Sequence, residues 1–287
     1  MTHPVLGIDH TYLLVRDLEA SAELYRRLGF TLSPRGLHSA QKGTANHTII
    51  FRDDYLELLG VVSDTDWNAQ QRRTLATVGE GLQVIANRTP DADAAKEALN
   101  ALGIGTGDVS AFSRPLPLPG GGEGIASFRT LGFAESEVPF GHFFLCQHET
   151  PHMVWRPELQ VHANDATGLG GIIAISDDPL ATAETYARFY ADGAVSQAEG
   201  GFRVETGTNS APLFFFDPRF IPDFYPDLAL RTAPANGFFA LQIRVTDLEI
   251  TRRSLLENGV SFVATPRGGI AVSQADASGV VVEFLEG

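Results

Sequence analysis

Four stretches of this chain repeat one order of events, and that repetition limits the fold more than any local motif does. Each has an apolar strand, an aspartate able to start a helix, an amphipathic helix, a glycine, and then further strands. They read GIDHTYLLVRD-LEASAELYRRLGF, GLQVIANRTPD-ADAAKEALNALGI, GLGGIIAISDD-PLATAETYARFYADG and GFFALQIRVTD-LEITRRSLLENGV. The interval from aspartate to glycine is the same for Asp17–Gly29, Asp91–Gly103 and Asp247–Gly259, and one turn longer for Asp178–Gly193.

Each part of the unit has a local cause. Asp17 and Asp247 can accept hydrogen bonds from the free N–H groups of a helix start. Gly29 and Gly259 suit the left-handed residue that ends a helix. Ala20, Leu24 and Leu28 recur at a helical interval, as one buried face demands. Runs of β-formers follow the glycines: FTLS, NHTIIFR and DYLELLGV in the first unit, VSFVAT, GGIAVSQ and VVVEFLEG in the fourth. This order predicts an α+β protein in which four β-α-β-β-β modules pair into two curled, barrel-like mixed sheets.

The units group into halves. HETPHMVWRPELQVHANDATG has no sustained period and reads as a connector over residues 149–167. It separates an N-terminal domain, 1–148, holding modules one and two, from a C-terminal domain, 168–287, holding three and four. SRPLPLPGGGEG, residues 113–124, is dense in Pro and Gly and is predicted as a long hairpin loop. No Gly-Lys-Ser/Thr follows it, so its glycines do not form a phosphate cradle.

Composition excludes several functions. With 35 acids against 21 Lys and Arg, a net charge of −14 and no basic cluster, the chain lacks a nucleic-acid surface. The lone Cys146 cannot form an internal disulfide, and MTHPVLGIDHTYLLVRD lacks the features of a signal peptide. No run approaches the roughly 18 apolar residues of a membrane span. A cytoplasmic protein is expected. Gly-x-Ser-x-Gly, His-Glu-x-x-His, Cys-x-x-Cys and the dinucleotide fingerprint are all absent from the sequence.

Chemistry is therefore sought on the strands. A β-α-β-β-β unit curls into a half-open cup whose ligands come from its first and last strands. His10 lies within IDHTYLLV and Glu57 within YLELLGV, each a polar residue in an apolar run. A buried carboxylate needs a cation, a donor or water. An imidazole beside it suits a divalent ion such as Fe, Mn, Ni, Co or Zn. His148 stands at a strand end beside the connector, where site residues often lie. His47 either lines the cleft or faces water. His3, His38 and His152 are expected at the surface, Cys146 as an apolar filler, and Trp155 and Phe214, Phe215 and Phe216 in the core.

The strand IDHTYLLVRDLEAS, the tract GTANHTIIF, the closing YLELLGV and the middle segment FLCQHETPHMVWRPELQVHANDATG together resemble the vicinal-oxygen-chelate superfamily, and within it the glyoxalase-like domain proteins. The likeness is firmest over residues 7–61 and 141–168. Glyoxalase I, methylmalonyl-CoA epimerase, extradiol dioxygenases, fosfomycin-resistance enzymes and metal-free drug-binding proteins share that fold. The resemblance implies a metal that chelates neighbouring oxygens of a small substrate. His10 matches the first-strand ligand and Glu57 the last-strand ligand. Aligned on the Asp-to-Gly interval, His10 corresponds to Val84, Gly171 and Ala240, none of which binds metal. Glu57 corresponds roughly to Cys146 and to Glu283. If modules one and two share a cleft, His148, Cys146 or Gln83 completes the ligand set; if one and four do, Glu283 contributes.

Two functions follow from the resemblance. One is a divalent-metal-dependent lyase, isomerase or dioxygenase, its metal on His10, Glu57 and His148, with Glu57 moving a proton and His47 and Glu283 touching substrate. The other is a metal-free binding or drug-sequestering protein of the bleomycin-resistance type. A homodimer with clefts formed between chains is a third arrangement.

Overall fold

In the computed structural model, which describes residues 3–118, 121–230 and 234–287, every repeated aspartate caps a helix. Asp17 accepts from the N–H groups of Glu19 and Ala20, Asp91 from Asp93 and Ala94, Asp178 from Ala181, and Asp247 from Glu249 and Ile250. Gly29 and Gly259 take the left-handed conformation expected of helix-ending residues, with φ of 90° and 65°.

The first half runs β1 (Ile8–Val15), α1 (Leu18–Arg27), β2 (Gly36–Leu37), β3 (Thr44–Ile50), β4 (Tyr55–Val61) and α2 (Ala69–Thr77). It continues with β5 (Gly81–Arg88), α3 (Ala92–Ala101), β6 (Thr106–Pro117), β7 (Glu123–Phe133) and β8 (His142–His148). After the short α4 (Pro151–Val154) the order repeats as β9 (Ala166–Ile175), α5 (Pro179–Ala187), β10 (Val195–Ala198), β11 (Gly201–Val204), β12 (Leu213–Phe216) and α6 (Ile221–Phe224). The last module is β13 (Gly237–Val245), α7 (Leu248–Glu257), β14 (Val263–Ala264), β15 (Ile270–Val272) and β16 (Val281–Glu286).

The modules join through their first strands. In one eight-stranded sheet, ordered β2-β3-β4-β1-β5-β8-β7-β6, β1 lies antiparallel to β5, β4 runs parallel to β1 and β8 parallel to β5. The second sheet, β10-β11-β12-β9-β13-β16-β15-β14, has the same plan about β9 and β13. Module one therefore pairs with two, and three with four. No helix among the described residues is long and apolar enough to cross a membrane.

Two local expectations need correction. FTLS is irregular, and the second strand of module one is the two-residue β2. Of the stretch 113–124, residues 119–120 lie outside the described residues, and strand takes up much of the rest: β6 reaches Pro117 and β7 begins at Glu123, with Pro115 opposite Ile125 and Pro117 opposite Glu123. Proline survives there because β6 is an edge strand, where an N–H pointing away from the sheet is not needed.

One apolar cluster spans both halves, from Leu13, Tyr25 and Phe30 to Tyr186, Phe215 and Phe284. Its polar seams are also shared: the Tyr25 hydroxyl donates to the Ala277 carbonyl at 3.3 Å, and that of Tyr186 to Phe140 at 2.6 Å. The connector is tied into this seam. His162 accepts from the Thr31 N–H at 3.0 Å, and its other ring nitrogen stands 3.0 Å from the Ile50 carbonyl.

Asp54, in the β3–β4 turn, is another tie across the halves. It is 1 % exposed, accepts the Leu169 N–H at 2.9 Å, and sits 4.0 Å from the Arg244 guanidinium. Burial pushes its carboxyl up to about 7, against the opposing pull of the Leu169 N–H and Arg244. The unfolded chain loses this proton near pH 3.9, whereas the folded chain holds it to about 7, so this group's contribution to stability falls as pH rises between those values. Asp54→Asn keeps the acceptor and removes the titration. Urea midpoints should show the variant gaining on wild type between pH 5 and pH 8; an unchanged difference would contradict this account.

Candidate active site in the first sheet

Strand alternation should send neighbouring Asp9 and His10 to opposite faces, yet they touch. Between Ile8, opposite Asn87, and His10, opposite Ala86, β1 holds one extra residue, a bulge at Asp9. Through it Asp9 Oδ1 lies 2.6 Å from His10 Nδ1 and 3.0 Å from His148 Nε2 on β8. Burial alone would raise the Asp9 carboxyl. The positive field of His148 and hydrogen bonds from both imidazoles outweigh it and hold Asp9 well below the ordinary carboxylate range. An ionised carboxylate only accepts, so His10 Nδ1 and His148 Nε2 both carry protons.

That leaves His10 Nε2 facing the concave side of the sheet, 3.8 Å from Glu57 Oε2. Asn46 donates to Glu57 Oε1 at 2.8 Å, fixing one oxygen and leaving the other toward His10. Tyr55 stacks on the imidazole at 4.2 Å and Phe144 meets its edge at 5.6 Å. Above them opens a cavity of about 450 Å³. Lys42, Arg114 and His38 face it among aromatic walls that include Phe112 and Phe128.

His10 and Glu57 thus share one hollow. His148 joins them through Asp9 but stands behind the imidazole and does not line the cavity. His47 is turned away from the hollow: Nδ1 is 2.8 Å from the Ser33 carbonyl and Nε2 3.5 Å from Glu19 of α1. Its neighbour Asn46 faces the cavity in its place. His38, expected at the surface, lines the cavity and bonds Thr44 at 2.7 Å; burial, then Lys42 and Arg114, push its imidazole down to about 3. Glu57 has its counterpart in Phe144 rather than Cys146, because Tyr12 faces Glu57 across β1 and β4 as Ala86 faces Phe144 across β5 and β8. Cys146 is buried beside the hollow, its thiol raised well above the ordinary range by burial and by Asp9 and Glu57. Asp9, Asn46, Lys42 and Arg114 were not singled out from the sequence.

The second sheet carries the same skeleton to another end. Ala240 holds the place of His10, and Glu283, opposite Gln242, the place of Glu57. Glu283 is fully buried, belongs to the second sheet and does not line the first hollow. Arg267 binds it at 2.8 Å, Gln242 at 3.0 Å and the Tyr225 hydroxyl at 3.2 Å. The segment after β12 roofs this cup with Ile221, Phe224 and Tyr225, which join its apolar cluster. The matching segment of the first sheet, α2, buries none of its residues and presents Gln70, Gln71 and Thr74 to an open cavity.

Comparison with known proteins bears on family and fold. The glyoxalase-like domain family model matches residues 8–190. The chain belongs to the glyoxalase-like domain family. Among solved structures it is similar to a hypothetical protein from Staphylococcus aureus, at 13 % identity and TM-score 0.63, covering 97 % of this chain and 98 % of that one. It is also similar to a variant of 4-hydroxymandelate synthase from Streptomyces coelicolor, at 15 % identity and TM-score 0.61, over 99 % and 93 % of the two chains. Methylmalonyl-CoA epimerase from Mycobacterium tuberculosis matches 51 % of this chain and 91 % of its own, at 18 % identity and TM-score 0.41. A search of curated proteins finds no match. At these identities the structural likeness is one of fold.

The donor set around His10 is compatible with a metal ion. Asp9, His10, Cys146 and His148 each offer a ligand atom, all within 4.8 Å of one another, and His148 Nδ1 is buried without a hydrogen-bond partner among the described residues. Imidazole, thiol and carboxylate donors suit a divalent transition ion. Of the positions the fold brings to the hollow itself, His10 and Glu57 are able to bind one, and Val84 and Phe144 are not.

The second cup yields a stability test. Arg267→Met leaves Glu283 with only neutral donors in an apolar interior and should cost about 3–5 kcal/mol in urea unfolding. A loss under about 1 kcal/mol would mean that Arg267 does not neutralise Glu283.

Proposed function

We propose that the chain is an enzyme of lyase, isomerase or dioxygenase type, acting on a small oxygen-rich molecule in the hollow of the first sheet. One contrast carries the reading. His10 and Glu57 meet beneath an open cavity, whereas at the same places in the second sheet an alanine and an arginine-neutralised glutamate lie under an apolar roof. A polar pair kept in a cavity costs stability unless it is used.

Each residue then has a role. Asp9, accepting from His10 Nδ1, fixes the tautomer and leaves Nε2 as a lone pair toward the cavity. Asn46 orients Glu57, whose other oxygen can take or return a proton at a carbon beside a carbonyl, a role that typically contributes about 10²–10⁴-fold. His10 and Glu57, with Cys146 from the same cavity wall, would hold a divalent ion such as Fe, Mn, Ni, Co or Zn. Such an ion stabilises charge that develops on substrate oxygens. The lone, protonated Cys146 accords with a cytoplasmic location.

Val84 and Phe144 favour a second reading, a metal-free binding protein, because they leave the hollow half-ligated. Metal analysis of protein purified without chelators separates the two. The enzyme reading expects about one divalent ion per chain, lost from both His10→Ala and Glu57→Gln. Wild type free of metal, with a melting temperature indifferent to added ions, would leave the binding protein.

A further inference from the structure

The cavity contains charge that the His10–Glu57 pair does not explain. This acidic chain has only two lysines, and one of them, Lys42, lies half-buried against the cavity with its ammonium 3.3 Å from the Phe112 ring centre and 5.1 Å from Trp67. Arg114 projects from the edge strand β6 into the same space at 6 % exposure. Among the described residues its guanidinium has no carboxylate within ion-pair distance, and its buried Nη1 has no hydrogen-bond partner. A buried, unpaired guanidinium is costly in a free protein. The fold nonetheless makes room for it: a Cβ on Gly36 of the facing edge strand β2 would stand 2.3 Å from Nη1.

We propose that Arg114 and Lys42 form an anion subsite that takes the carboxylate of a small acid with a flat, apolar body, and so set the substrate class of the first hollow. The proposal rests on reading that hollow as the substrate site. Two cationic side chains and one carboxylate, Glu57, face the cavity, so its lining carries a cationic surplus that the carboxylate of a ligand offsets. The planar fork of arginine matches a carboxylate with two parallel hydrogen bonds. The body of the ligand would lie on the rings of Phe112 and Phe128, stacked at 5.0 Å, with Phe144 and Tyr55 leading down to His10. A carboxylate held at Arg114 directs the far end of the molecule toward Glu57.

Calorimetric titration with benzoate, phenylacetate and 4-hydroxybenzoate, each against its uncharged primary amide, tests this at low salt. At least one acid should bind about tenfold or more tightly than its amide. Arg114→Gln should weaken that acid about 10- to 100-fold and leave the amide unchanged, abolishing the preference. Lys42→Met, at a partly exposed position, gives the same readout with a smaller change should Arg114→Gln fail to fold. His10→Ala and Glu57→Gln should keep the acid preference, so the subsite can stand although the metal-dependent reading fails, and fall although it holds. No acid bound, acid and amide bound alike, or a preference untouched by both cation substitutions would each overturn the proposal.

Discussion

The parallel pairing of β1 with β4 is the constraint on which the site depends. With His10 opposite Tyr55 and Tyr12 opposite Glu57, all four side chains fall on the concave face, while Leu13, Leu56 and Leu58 enter the core. A slip of one residue would reverse every side chain, exposing leucines and sending the imidazole and carboxylate into the apolar core. The core therefore holds the register, and the register holds the chemistry. The bulge at Asp9 then adds what a regular strand cannot: a carboxylate on the same side as its neighbour's imidazole.

The two sheets show how one backbone plan can end in a site or in a core. Both keep a glutamate on the last strand of one module, Glu57 in the first and Glu283 in the fourth. In the second sheet an arginine neutralises it, and Ile221, Phe224 and Tyr225 bury the hollow. Apolar burial of that kind stabilises by about 25 cal/mol per Å². In the first sheet the covering helix α2 is polar and buries none of its residues, so the same stabilisation is forgone. The difference lies in the segments that follow β4 and β12, parts of the chain with no role in the sheets themselves.

Which features were legible in the sequence follows from their physics. The caps at Asp17, Asp91, Asp178 and Asp247 are local and show as such. His10 and Glu57 stood out because period-2 alternation isolates a polar residue in an apolar strand. Asp9 was hidden by the same rule, since a bulge breaks the alternation without a marker in the residue types. Arg114 lay within a proline-rich run that reads as loop, and only its edge position makes those prolines compatible with strand. Phe144 rather than Cys146 opposes Ala86, because register across β5 and β8 is set by hydrogen bonding and not by distance along the chain.

The charge of the whole and the charge of the hollow have opposite signs, and the two act over different ranges. A net −14 spread over the surface repels an anion at a distance, but physiological salt screens such fields beyond about 8 Å. Inside the cavity screening is weaker than in bulk water, so Arg114 and Lys42 act more strongly there on whatever enters. Burial lowers the Lys42 ammonium to about 8, even with Glu57 pulling the other way. Solvation is therefore the scarce commodity at this spot, and a ligand that supplies a counter-charge there replaces what water no longer provides. Acidity outside and cationic character inside are then compatible: one keeps the protein dispersed, the other selects at contact.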